Sequence, residues 1–394
     1  MVFRIFVQRK IRLIILNNIL MRFTISSSLL NNRLQSLAKV INNKNTLPIL
    51  DCFLFEVSGN ELSVTASDSE NVIKSTLSLD EADQNGVFAV PSRTLLDAVK
   101  ELPEQPLTFE IDTNSYSVQI IYQNGVYNFT AQNANEYPKN TSITDDVTVI
   151  TIPAAVLLDN VSRSIFATGQ DELRPVMSGI YFDLTNENLA IVASDGHKLV
   201  RNQILNIKNS TPASFILPKK PAMLLKGILV KDDTEVIIKF NARTAEFTTS
   251  NTVLTCRLIE GKYPNYNSVI PRNNPNKLTI DRKILIGALR RVLPFASESS
   301  QLVRFHLESG KLRLSSEDVD FATSAKEEIV CDYDSSIISI GFKGSSMQEI
   351  LNNMESEEVD ILLADPSRAG IVIPTQQPEN QNILMLIMPM LLND

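Results

Sequence analysis

The stretch "SDGH", residues 194–197, sets a serine, an aspartate and a histidine within four positions. These are the side chains of a serine hydrolase, in which a base activates the hydroxyl and a carboxylate orients the base. Such a relay needs each group within hydrogen-bond reach of the next, and four consecutive residues at a strand end and turn cannot deliver that geometry. The corresponding stretches elsewhere read "SDSE" at 67–70 and "EDVD" at 317–320, which keep the aspartate and lose the histidine. An aspartate satisfying backbone donors in a turn is the better reading. The rest of the chemical inventory is thin. The chain has two histidines, no tryptophan and three cysteines, Cys52, Cys256 and Cys331, with no CxxC pair. That spacing argues against a disulfide framework or a zinc site and for a reducing, cytoplasmic compartment. No P-loop, GxGxxG or clustered metal ligands occur, so no catalytic residue, metal or cofactor is expected.

The turn recurs because the chain repeats. "TISSSLLNNRLQSLAKV" begins at Thr24, "TIPAAVLLDNVSRSIFAT" at Thr151 and "TIDRKILIGALRRVLPFA" at Thr279, offsets of 127 and 128. The turn aspartates, Asp68, Asp195 and Asp318, are 127 and 123 apart, as are the junctions Pro91, Pro218 and Gly341, where a strand leads into a helix. Tyr137-Pro138 and Tyr263-Pro264 end the first two copies and Met388-Pro389 the third. Each copy reads β-α-β-β-β-α-β-β-β, an α+β unit of about 120 residues that should bury its own core. In the first helix Leu29, Leu30, Leu34, Leu37 and Ile41 are expected on one face. The apolar run 383–392, broken only by Pro389, occupies the place of the last strand.

Composition agrees with a folded, multidomain protein. The 394 residues are 43% hydrophobic and 21% charged, and a length of this size carries two to four domains. Residues 1–20 hold four positive charges and no negative one. The stretch is too short and too interrupted to span a bilayer, so a leader outside the fold is expected there, with a basic amphipathic anchor as the other reading. The domains are then expected at 21–144, 145–273 and 274–394. A net charge of −8 disfavours nucleic acid taken alone. The charge is segregated, however. Six helical windows (26–45, 91–102, 153–170, 218–230, 281–293 and 342–354) sum to +9, leaving −17 for strands and loops. Helices sharing one surface would attract phosphates inside an otherwise acidic protein.

"MRFTI", "NTLPILDCFLFEV", "ELSVTASD", "ELRPVMSGIYFD", "VASDGHKL", "EGKYPNYNSVIP" and the late "MPM", taken in order, resemble the bacterial DNA polymerase sliding clamp, the β subunit of the replicative DNA polymerase III. The resemblance runs from Met21 to Leu392. It implies three similar domains per chain, each with two helices on the inner side and antiparallel sheets outside. Two chains would form a head-to-tail homodimeric ring around duplex DNA. Contacts made to phosphates alone carry no sequence information, so such a ring would slide. No chemistry of its own is implied, and no membrane.

The resemblance also assigns residues. Lys44, Lys219 and Lys220 match DNA contacts, as does Gln170 or its neighbour Asp171, of which the neutral Gln170 is the better phosphate ligand. Arg33, Arg290 and Arg291 join them on charge. A pocket for short linear peptides of the polymerase, the clamp loader and repair proteins would be lined from the second domain by Met177, Ser194, Gly196, His197, Lys198, Leu199, Pro264 and Val269. The third domain would add Ser346, Leu386, Met388, Pro389 and Met390. Leu386 and Met388 should share one strand face, and methionine suits a pocket that accepts varied peptides. Ser346 stands where relatives carry an aromatic and Lys198 where arginine is common. Tyr127 and Phe129 match one side of the dimer interface, Pro294 and Phe295 the other. The competing reading is a three-repeat protein scaffold without nucleic acid, which the acidic balance favours and the basic helices oppose.

Overall fold

The computed structural model describes residues 20–42, 44–138, 143–229 and 235–392. Of the expected leader, 1–20, only Leu20 falls among them, and it opens the first strand, Leu20–Ser26. Six α-helices lie among the described residues: α1 Ser27–Leu37, α2 Ser92–Val99, α3 Ala154–Ile165, α4 Lys219–Ile228, α5 Arg282–Val292 and α6 Gly344–Asn352. They carry a net charge of +7. Each follows a strand end as the repeat requires, and the strands between are antiparallel throughout.

Local chemistry sets the helix starts. Ser26 and Asp281 occupy the same position of their repeats. The Ser26 hydroxyl accepts from the Leu29 N–H at 3.1 Å, and the Asp281 carboxylate from the Ile284 N–H at 2.8 Å. Such caps contribute about 1 kcal/mol each. The packed stripe of α1 is Leu30, Leu34 and Leu37. The expectation for two flanking residues needs correction: Leu29 is exposed, and Ile41 lies beyond the helix, after the 3₁₀ turn Ala38–Val40. The helix phase places Leu29 a quarter turn off the stripe that meets the sheet.

The chain divides into two compact units, and the division runs through the second repeat rather than between repeats. The first unit extends to residue 154 and takes in 227–257. A five-stranded sheet there runs 81–82, 20–26, 106–112, 117–122, 125–130. An eight-stranded sheet runs 148–153, 235–240, 244–248, 252–257, 71–78, 61–67, 52–58, 86–91. Its central ladder joins repeat one to repeat two, with Ile73 opposite Leu254. The core is aromatic: Phe23 stacks on Phe109 at 4.7 Å, with Phe55 and Phe88 beside them.

The second unit holds 155–226 and 258–394. Its nine-stranded sheet runs 213–218, 179–184, 189–194, 198–204, 381–387, 370–374, 358–363, 276–281, 332–333. Repeat two meets repeat three where Val200 stands opposite Met385. A five-stranded sheet runs 323–330, 311–318, 302–308, 338–343, 389–390. The strand Gln381–Ile387 is buried on both faces from Ile383 onward, which explains the apolar stretch 383–387.

Candidate functional site

The turn at Asp195 is built alike in all three repeats. The Asp195 Oδ1 accepts from the His197 N–H at 2.8 Å and the Lys198 N–H at 2.9 Å. Asp68 accepts from Glu70 and Asn71, and Asp318 from Asp320 and Phe321, in the same pattern. The Ser194 hydroxyl donates to the Lys198 carbonyl at 2.9 Å and has no bond to His197. Gly196 takes φ = 91°, and a Cβ there would stand 3.0 Å from the Arg174 Nη1. Glycine meets both demands.

Around this turn lies a cavity of about 360 Å³ in the second unit. Met177, Ser194, Gly196, Lys198, Leu199, Pro264, Val269, Leu386 and Met388 line it as expected from the sequence. Arg174, Tyr263, Asn265 and Tyr266 line it as well, and the sequence reading missed them. Tyr263 lay in plain view as a repeat landmark. Its ring stacks flat on Tyr181 at 4.6 Å, and the Tyr266 hydroxyl donates to Asp183 at 2.8 Å. Burial pushes both phenols up, so they stay neutral at ordinary pH.

Lys198 supplies a buried charge at this site. Its Nζ lies 2.6 Å from the Asp195 Oδ2 and 3.2 Å from the Glu349 Oε2 of α6. Burial by itself would lower the ammonium, but the hydrogen bond and charge of Asp195, with Glu349, hold it above the usual lysine range. Burial by itself would raise the Asp195 carboxyl, but Lys198 and the backbone donors hold it below the usual range. Lys198 is thus fixed in the wall of the cavity.

Four expected residues are not among those that line this cavity. Ser346 is buried in the packed side of α6, because the helix phase turns 346, 347 and 350 inward. Pro389 and Met390 form a short strand paired with Phe342 and Gly341. His197 takes part through its backbone, its carbonyl accepting the Met388 N–H at 2.8 Å. That bond anchors the tail so that Met388, 40% exposed, borders the cavity.

The charged candidates divide in the same way. Lys44 and Gln170 are exposed. The Asp171 carboxylate is engaged by the Leu173 N–H and by Arg174 at 2.9 Å. Lys219 and Lys220 open α4. Arg290 is exposed and borders a second hollow of about 480 Å³, with Pro294, Gln301 and Ser345. Two of the candidates have partners within the chain. Arg33 is half-buried, and its guanidinium donates to the Thr252 hydroxyl at 3.4 Å across the junction of repeats one and two. Arg291 is paired with Glu327, Nε to Oε2 at 2.9 Å. Charge pattern alone cannot distinguish a cation that bridges elements from one that faces solvent. Tyr127 and Phe129 are half-buried on the edge strand Gly125–Thr130, and Phe295 is exposed just after α5. No helix among the described residues is long and apolar enough to cross a membrane.

Comparison with known proteins gives the same assignment between residues 21 and 391. Residues 21–141 match the N-terminal domain of the DNA polymerase III beta subunit, 151–265 its central domain and 267–391 its C-terminal domain. The beta sliding clamp of Pseudomonas putida is 28% identical over 373 residues, 94% of this chain and all of that one. That of Haemophilus influenzae is 26% identical over 375 residues, with 94% and 100% covered. The structure superposes on a Pseudomonas aeruginosa sliding clamp solved with griselimycin bound, with a TM-score of 0.89 at 26% identity, covering 94% of this chain and 100% of that one. The beta subunit of Thermotoga maritima gives 0.85 at 25% identity, with 95% and 100% covered. The chain therefore belongs to the DNA polymerase III beta-subunit family, the bacterial sliding clamps, non-catalytic processivity factors of DNA replication.

Proposed function

We propose that two copies of this chain close head to tail into a ring threaded by duplex DNA in the cytoplasm. Replicative polymerase, clamp loader and repair proteins are tethered to it by short peptides seated in the cavity of Met177, Leu386 and Met388. One observation carries the ring. The strand Asn71–Ser78 of repeat one pairs with Thr252–Arg257 of repeat two, and Lys198–Ile204 of repeat two pairs with Gln381–Ile387 of repeat three. The remaining strands of these two kinds, Thr323–Val330 and Gly125–Thr130, are sheet edges. Long unpaired edges invite a partner strand, and a head-to-tail contact generates a ring when its rotation closes. Tyr127, Phe129, Pro294 and Phe295 belong to the two surfaces that meet.

Lys44, Gln170, Lys219, Lys220 and Arg290 face the duplex in this reading. Cations at the first turn of α4 oppose the helix dipole, a local cost that a phosphate partner offsets. The neutral phenols and apolar walls of the cavity suit an apolar peptide anchor, which contributes roughly 1.5–3 kcal/mol per buried side chain. Affinity of that order lets partners exchange.

The test is retention on DNA after loading. The protein should stay on nicked circles at moderate salt and be lost within minutes once the circle is cut. Equal loss from circular and linear DNA would eliminate threading.

A further inference from the structure

We propose that the cavity around Met177 and Leu386 selects peptides with basic residues beside their apolar anchor, and that Glu349 of α6 reads that charge. The inference rests on the peptide reading of the cavity above. It adds the charge class of the ligand and a residue outside the lining that sets it.

The lining alone points the other way. Among the described lining residues the charged side chains are Arg174 and Lys198, both cations, which would favour an acidic peptide. Their partners reverse that sign. The Arg174 Nε donates to the Asp171 Oδ2 at 2.9 Å, one cation against one carboxylate. Lys198 meets two carboxylates, Asp195 at 2.6 Å and Glu349 at 3.2 Å. Two cations thus stand against three carboxylates, and one negative charge is left over. Charges behind the wall cancel. Asp183 accepts from the Tyr266 hydroxyl at 2.8 Å, and the Arg201 guanidinium stands beside the same phenol. The exposed Glu260 and Lys262, on either side of Gly261, cancel likewise.

The surplus falls on Glu349 for a geometric reason. Both Asp195 oxygens are engaged: Oδ1 accepts from the His197 and Lys198 N–H groups, and Oδ2 from the Lys198 ammonium. The Asp195 side chain is 22% exposed and that of Lys198 10%, so the two neutralise each other within the turn. Glu349 is 50% exposed. The phase of α6 keeps it on the outward side while 346, 347 and 350 pack inward. A half-exposed carboxylate beside an already neutralised lysine gains little from it and can still accept from a second cation. An apolar anchor cannot supply one, whereas a lysine or arginine next to the anchor can. Opposite charge there adds a few-fold in affinity, the worth of a pair near solvent, and like charge subtracts as much.

Fluorescence anisotropy of a labelled polymerase-derived peptide tests this, with the residues beside its anchor made lysine, glutamine or glutamate. At about 50 mM salt the lysine form should bind at least about 5-fold tighter than the glutamate form, with glutamine between them. The ratio should fall below about 2-fold near 1 M salt, where screening acts within about 3 Å. Glu349→Gln should shrink the low-salt ratio at least about 2-fold, and Glu349→Lys should invert the order. Inversion cannot come from misfolding, which would weaken all three forms alike. Glu357→Gln makes the same change in net charge at an exposed carboxylate beyond α6 and should leave the ratio unchanged. Equal affinity of the three forms, a tighter glutamate form, or an equal effect of Glu357→Gln overturns the assignment and leaves the peptide site standing. Failure of every form to bind removes the peptide reading and this inference together.

Discussion

At Met388 the backbone and the side chain have separate tasks. The N–H is bonded to the His197 carbonyl, which fixes the tail, while the thioether borders the cavity. Met388→Ala should therefore change unfolding stability by less than about 0.5 kcal/mol. It should weaken binding of a polymerase-derived peptide roughly 10-fold, the loss of about 1.4 kcal/mol of apolar contact. Fluorescence anisotropy beside a thermal melt measures both, and unchanged affinity would remove Met388 from the pocket. Asp195 works through structure. Its carboxyl is held below the usual value of 3.8, so its contribution is present above that value and fades as pH falls through the lower folded one. Asp195→Asn should be about 1–3 kcal/mol less stable at pH 7, the worth of hydrogen bonds to a charged group. The gap should hold down to about pH 4 and narrow below it. Denaturant midpoints at several pH values check this, and a gap that widens in acid would contradict it. The aspartate was legible in the sequence because it occurs three times at the same place in the repeat, between two strands. Ser346 was not, because nothing in a single chain reveals the phase at which a short helix meets its sheet.

The helices divide their charges by what lies across from them. Arg33 on α1 reaches Thr252 of the next repeat, and burial lowers its guanidinium from the usual range. Lys219 and Lys220 stand at the opening turn of α4. The two sets should respond differently to substitution. Arg33→Ala should cost about 1 kcal/mol of stability through the lost hydrogen bond and leave DNA retention nearly unchanged. Lys219→Ala should change the melt little and reduce the salt dependence of DNA association by up to about one phosphate contact. Salt titration of association, run beside thermal unfolding, separates them. If Arg33→Ala proves the larger DNA defect, the bridging role is wrong. The order of strands and helices was readable from alternation and from Thr-Ile followed by an apolar stripe. The pairing of strand 71–78 with 252–257 was not, because both are alternating strands with nothing local to name their partner.

At the scale of the molecule, the proposed ring would let an acidic protein stay on DNA without strong attraction. A net charge of −8 with +7 on six helices gives a weak attraction confined to one class of element. If threading retains the duplex, the lifetime on circles should change little between about 50 and 200 mM salt, whereas simple phosphate binding would fall steeply over that range. The sequence by itself determined the threefold repeat, the helices and strands of each copy and the turn at Asp195, while most of the cavity lining was implied by the resemblance to the sliding clamps. Periodicity and repetition are local properties written along the chain. Tertiary structure alone decided that the compact units cut through the second repeat, that Arg33 and Arg291 are engaged by neighbours, and that Tyr263 and Arg174 complete the cavity. Those outcomes depend on which distant strands share a ladder, and hydrogen bonds between strands are indifferent to the residue types that one sequence displays.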